Sequence, residues 1–176
     1  MVNKLLVLFF VFLFSSSVLS EEMIEVKALD GKVSVYAPKD FGPMPTSILD
    51  KKYPSSRRPS EVLSDNTGGV SLAFNYTNNA MQPNQINEAH GAISKMFHNM
   101  YPSASWLRDE VILQNDQTFM VMELITPAMD TKIHNIIYGT SVDGRFLLAA
   151  FNTTAEQSGK WLPIGKQIMA SMKVVK

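Results

Sequence analysis

Hydrophobic and polar residues alternate along most of this chain, and two longer stretches carry a helical period instead. Val33, Val35 and Ala37 alternate with Ser34 and Tyr36 as far as Pro38, the pattern of a half-buried strand closed by proline. Pro38, Pro43, Pro45, Pro54 and Pro59 then exclude a long regular element, with room for a short helix over Thr46 to Tyr53. From Val70 the alternation resumes, with Val70, Leu72, Phe74 and Tyr76 on one face and Ser71, Ala73 and Asn75 on the other. The turn Thr67-Gly68-Gly69 before it makes Ser60 to Ser64 the partner strand of a hairpin. Ile86, Ala89, Ile93, Met96, Phe97 and Met100 fall on one stripe of a helix running from about Asn84 to Met100, punctuated by Pro83 and Pro102.

Four further apolar runs form two hairpins. Asn115-Asp116 joins Trp106 to Gln114 with Gln117 to Ile125, and Asp143-Gly144, a favoured type I′ pair, joins Ile133 to Val142 with Arg145 to Asn152. A two-residue loop at Asn115-Asp116 sets Arg108 opposite Glu123, so the acid in that apolar run gains a cationic partner. The strand Phe146 to Phe151 is apolar on both faces, which calls for a covering layer on each side of the sheet. Trp161, Ile164, Gly165, Ile168 and Met172 give a closing amphipathic helix that tolerates Pro163 in its first turn. There is no internal repeat and no low-complexity linker, so residues 32–176 read as a single domain, with 21–31 as a lead-in.

Residues 1–20 stand apart. A short basic start ending at Lys4, an apolar run from Leu5 to Phe14 and a polar tail from Ser15 to Ser20 have the layout of a cleavable secretory signal. The apolar run is about half the ~20 residues a membrane-crossing helix needs. Cleavage after Ser20 would leave 156 residues with fifteen cations against sixteen anions and no transmembrane helix. The whole chain has 176 residues, 45% of them hydrophobic, which is too apolar for disorder, and its balanced charge gives no basis for general nucleic-acid binding. It contains no cysteine, so disulfides, thiol nucleophiles and sulfur-held clusters are excluded. An exported chain without disulfides points to a bacterial periplasm or exterior.

Candidate chemistry is sparse. His90 and His98 lie eight residues apart on the middle helix, roughly 12 Å along its axis, too far to share one ion, and read as partly exposed structural residues. Met96-x-His98-x-Met100 suggests a copper ligand set, but Met96 and Met100 belong to the core stripe while His98 points away from it. No serine-hydrolase elbow, phosphate loop, dinucleotide fingerprint or zinc-protease helix is present, and no cofactor is expected; a non-enzymatic role is favoured over an envelope enzyme with an unfamiliar site. The remaining feature is the basic run Lys51, Lys52, Tyr53, Arg57 and Arg58 in the proline-bearing segment. It reads either as a contact for an acidic partner, with the arginines forking onto carboxylate or phosphate, or as a solvated loop whose charges meet Asp50, Glu61 and Asp65.

The order of these elements, from the strand ending at Pro38 through the paired strands around Asp143-Gly144-Arg145 to Trp161 on the last helix, resembles the PsbP/DcrB-like superfamily over about Lys32 to Lys173. The resemblance implies an α+β three-layer sandwich with a mainly antiparallel central sheet of about six or seven strands and helices on both faces. It also implies a non-catalytic accessory or chaperone-like binder. In size and export the chain is similar to small periplasmic immunity proteins of bacterial competition systems. The expected partner is therefore another protein, or alternatively an anionic small molecule or envelope polymer held by the basic run.

Overall fold

The computed structural model describes residues 21–54 and 58–175. The segment read as an export signal lies outside the described residues. The elements are β1 (Met23–Ala28), β2 (Val33–Pro38), β3 (Gly42–Pro43), α1 (Thr46–Lys52), β4 (Glu61–Ser64), β5 (Ser71–Ala80), α2 (Ile86–Met100), β6 (Ser105–Gln114), β7 (Gln117–Pro127), β8 (Lys132–Val142), β9 (Arg145–Thr154), α3 (Ser158–Ser171) and β10 (Lys173–Val174). Seven strands form one sheet in the order β3-β4-β5-β9-β8-β7-β6, and β1-β2-β10 form a second. Every pairing is antiparallel. The architecture is α+β with open sheets, as the resemblance implies.

Local chemistry explains the hairpins. Asn115, Asp116, Asp143 and Gly144 all have positive φ, the backbone that two-residue primed turns require and that Asn, Asp and Gly tolerate best. The same chemistry marks a strand that hydrophobic patterning alone misses. Residues 21–31 are more than a lead-in, because β1 pairs along its full length with β2 and the chain reverses through Leu29, Asp30 and Gly31, all at positive φ. Asp30-Gly31 was the available signal.

Alternating side chains divide the seven-stranded sheet into two unlike faces. Leu72, Phe74, Phe119, Val121, Ile136, Tyr138, Leu147, Ala149 and Phe151 meet α3 and the small sheet in one continuous core. Met120, Met122, Leu124, Ile137 and Phe146 face α2, and Val62 and Ala73 face α1, in three smaller clusters. Strand β9 shows the contrast. Leu147, Ala149 and Phe151 are fully buried under α3, while Leu148, Ala150, Asn152 and Thr154 on the opposite face are only half-buried. The expected second layer is present but incomplete: α2 packs on β6, β7 and β8 and α1 on β4 and β5, leaving a cleft between the helices.

Three expectations need correction. Arg108 does lie opposite Glu123, yet their side chains do not pair. A register shift between Trp106 and Arg108 disturbs the ladder, Arg108 turns along its own strand to Glu110, and Glu123 finds partners on β8 and α3. Met96 and Met100 are exposed and do not belong to the core, because the stripe of α2 that meets the sheet is the narrower set Ile86, Ala89, Ile93 and Phe97. Pro163 sits in the second turn of α3, since that helix begins at Ser158; the N–H it lacks would have served the carbonyl of solvent-exposed Gly159.

Glycine plays opposite parts in the two long helices. A Cβ at Gly165 would stand 2.2 Å from a Phe151 ring carbon, whereas one at Gly91 would meet nothing within 4 Å. Gly91→Ala should therefore stabilise the protein by about 0.5–1 kcal/mol through helix propensity. Gly165→Ala should destabilise it by about 1–3 kcal/mol, the overpacking outweighing the same propensity gain. Urea denaturation of both variants measures the opposite signs.

Candidate functional site

Helix α1 brings the basic run to one end of the cleft. Ile48, Leu49 and Tyr53 anchor it on Met44, Val62 and Ala73, and Lys51 and Lys52 occupy its last turn, where the helix dipole favours cations. Lys52 Nζ donates to the Gly68 carbonyl at 2.9 Å and to Ser71 Oγ at 3.1 Å, and the Tyr53 hydroxyl shares Ser71 Oγ at 3.4 Å. Burial lowers the Lys52 pKa and raises that of Tyr53, although Lys52 taken as a whole residue remains exposed. Arg58 is ion-paired with Asp50, and Lys51 is exposed. Arg57 lies outside the described residues. The structure thus brings Lys52 and Tyr53 together on Ser71 and turns Arg58 aside.

Beside Lys52 opens a cavity of about 430 Å³, lined also by Gly68, Gly69, Ile133, Asn135, Asn152 and Thr154. Gly68 turns at φ +70° close under Ile48, which lets the loop before β5 pass beneath α1. Asn135 and Asn152 face each other across β8 and β9. Asn135 Nδ2 donates to Ile133 O, Thr126 Oγ1 and Leu124 O at 3.0–3.2 Å, and Asn152 Nδ2 to Ala150 O at 3.4 Å. Sequence reasoning overlooked this pair. The two-residue turn at Asp143-Gly144 already sets them opposite one another, on the face that Leu148 and Ala150 begin.

The other wall of the cleft is apolar. At 100° per residue, His90, Ser94 and His98 lie on one flank of α2, and Ala89, Ala92 and Met96 on the other. The histidine flank faces β6, so the alanine and methionine flank looks the other way; Ala89 and Ala92 line a hollow with Ala80, Met81, Gln85 and Glu88 at the end of β5.

The titratable clusters outside the cleft are closed upon themselves. Asp109 on β6 accepts from Ser94 Oγ at 2.6 Å, and its two oxygens lie 2.7 Å from His90 Nε2 and 3.2 Å from His98 Nε2. His98 also stacks on Trp106 with ring centroids 3.7 Å apart. The two histidines, judged too distant to share an ion, converge on one carboxylate because Asp109 stands between them. On the opposite sheet face Glu123 Oε1 lies 2.7 Å from His134 Nε2 and 3.2 Å from Lys166 Nζ, with Glu123 and His134 both buried. Among the described residues no group of three or more His, Asp or Glu side chains could hold a metal ion, and no helix is long and apolar enough to cross a membrane.

No family model matches the sequence, and no curated protein is similar to it in sequence at a significant level. Solved structures share its fold. Cyanobacterial PsbP (CyanoP) from Synechocystis sp. PCC 6803 superposes with a TM-score of 0.59 at 10% identity, over 90% of this chain and 96% of that one. The Ran-binding protein Mog1p of Saccharomyces cerevisiae gives 0.52 at 10% identity, over 89% and 97%. LpqN of Mycobacterium tuberculosis, involved in cell envelope biogenesis, gives 0.52 at 8% identity, over 88% and 91%. The chain has the PsbP/Mog1-like fold.

Burial alone would raise the Asp109 carboxyl, but hydrogen bonds from Ser94, His90 and His98 outweigh it and hold the group below its ordinary value of 3.8. A depressed carboxyl contributes stability that is present above the ordinary value and lost as pH falls through the folded one. Asp109→Asn should therefore cost about 1–2 kcal/mol at pH 7 and narrow the stability gap between pH 7 and pH 2, read from denaturation midpoints at each pH. Glu123→Leu should cost about 2–4 kcal/mol by stranding His134, while Glu123→Leu with His134→Leu recovers part of that loss in a double-mutant cycle.

Proposed function

We propose that the protein is a non-catalytic protein-binding domain that acts in the periplasm or outside the cell as an accessory, chaperone-like or immunity protein. The observation that carries this reading is the half-covered face of β9. Leu148 and Ala150 are half-buried beside Ile93 and Phe97 of α2, and beyond them the same face opens at Asn152 and Thr154 into the cavity beside Lys52 at the basic end of α1. A cleft with one apolar and one cationic wall suits an amphipathic partner segment, and exposed Met96 and Met100 offer the pliant surface that adaptable binding sites use. The reactive side chains support the non-catalytic part, since the two main histidine–carboxylate groups satisfy one another away from the cleft. Protein binding by Mog1p and an envelope role for LpqN on the same fold support the class of function. The first twenty residues and the absence of cysteine support export.

The test is co-purification from the native host's envelope fraction, using the wild type and a Met96→Asp/Met100→Asp variant. The wild type should retain a stoichiometric partner, and the variant should lose it with its melting temperature unchanged, because both methionines are exposed. Recovery of no partner by the wild type, under conditions that recover a known complex, would overturn the reading.

A further inference from the structure

The cation Lys52 is unusually placed. Its ammonium is drawn in against the loop Gly68-Gly69, where burial lowers its pKa, and two of its three N–H bonds go to neutral acceptors, Gly68 O and Ser71 Oγ. All sixteen Asp and Glu residues of the chain lie among the described residues, and none of them forms an ion pair with Lys52. Asp65 acts on it through a Coulombic attraction without an ion pair, its carboxylate accepting from Thr67 Oγ1 and the Val70 N–H. A partly desolvated ammonium with no ion-pair partner gains from a counter-charge placed directly on it.

The cavity next to it has the lining to hold that counter-charge. Its volume of about 430 Å³ lies within the range of small-ligand sites, roughly 300–1,000 Å³. Its remaining polar residues are neutral: Asn135, Asn152, Thr153 and Thr154. The amide nitrogen of Asn135 is committed to backbone carbonyls and Thr126, and that of Asn152 donates one N–H to Ala150 O, which leaves both side-chain carbonyl oxygens as acceptors. One ammonium suits one negative charge, and two amide oxygens call for donors on the same ligand.

We propose that this cavity binds a monocarboxylate that also carries N–H or O–H groups, its carboxylate on Lys52 Nζ and its donors on the Asn135 and Asn152 carbonyls. The chemistry is shared by free hydroxy or uronic acids and by the C-terminal carboxylate of a peptide. The proposal deepens the binding reading of the same cleft but needs no protein partner. A failed co-purification leaves it intact, and a failed carboxylate titration leaves that experiment intact.

The experiment is an amide chemical-shift titration of the full folded domain with glucuronate, lactate, N-acetyl-alanyl-alanine and the C-terminal amide of that dipeptide. At least one acid should shift the Gly68, Gly69 and Asn152 amides saturably in the millimolar range or tighter. Binding of the free acids alone identifies a small-molecule source, and binding of the dipeptide identifies a peptide terminus. The amide should bind at least tenfold more weakly than its acid. Lys52→Met, which keeps the aliphatic stem, should weaken the acid at least tenfold, and Lys52→Arg should restore part of the loss. Asn152→Asp, which sets a second carboxylate against the ligand, should weaken it similarly with Lys52 untouched. Absence of saturable shifts from every acid, equal binding of dipeptide acid and amide, or full affinity in a folded Lys52→Met variant would overturn the proposal.

Discussion

The ring of Phe151 lies against the backbone of α3 at Gly165, and the rest of the structure depends on that close approach. With no Cβ in the way, the helix settles directly on β9, and Trp161, Ile168, Met169 and Met172 reach the same core as β2 and the central strands. Closing this side so tightly concentrates the apolar burial, at ~25 cal/mol per Å², on one face of the sheet. The opposite face is thereby relieved of the need for a continuous cover. Its clusters are small and separate, and the gap between α1 and α2 can stay open because the strand beneath it is already held from behind.

On that second face polar contacts do part of the work that packing does on the first. Asp109 draws His90, Ser94 and His98 towards β6, which fixes the roll of α2 about its axis as well as its position. Because the histidine flank is tied down towards the sheet edge, the opposite flank must look into the cleft. The exposure of Met96 follows from this, since no neighbour remains on its side of the helix to bury it. A helix located by its edge contacts can present an apolar flank without losing its place. Apolar side chains left outside a core are expected where a surface is used for contact.

How far the sequence disclosed this depends on the range of each interaction. Asn115-Asp116 and Asp143-Gly144 announce their hairpins because the required backbone is encoded in the turn residues themselves, and the pairing of Arg108 with Glu123 follows at once from the loop length. The side-chain partner of Glu123 was beyond reach, since His134 arrives on the next strand and Lys166 on a helix about forty residues later. Met96 shows the limit of periodicity, which identifies an apolar stripe but not the width of the neighbour it meets. The basic run was visible as composition. Its division into Arg58 held by Asp50 and Lys52 held by Gly68 and Ser71 depends on where α1 docks, and nothing local specifies that.

The cleft and its cation are consequences of one geometry. Tyr53, anchored with Ile48 and Leu49 on Ala73 and Val62, sets the end of α1 above the start of β5, and Lys52 has to turn inward over the glycine loop to find acceptors. Of the acids near it in sequence, Asp50 is held by Arg58 and Asp65 by its own turn, while Glu61 lies on the opposite face of β4 with the Leu29 amide. None of these acids forms an ion pair with Lys52. The residual positive charge is produced by the way the segment is built, and it faces a cavity whose other polar groups are neutral. Two neutral acceptors satisfy two of its N–H bonds, and the third is free to meet an acceptor from outside the chain in the open cavity beside it.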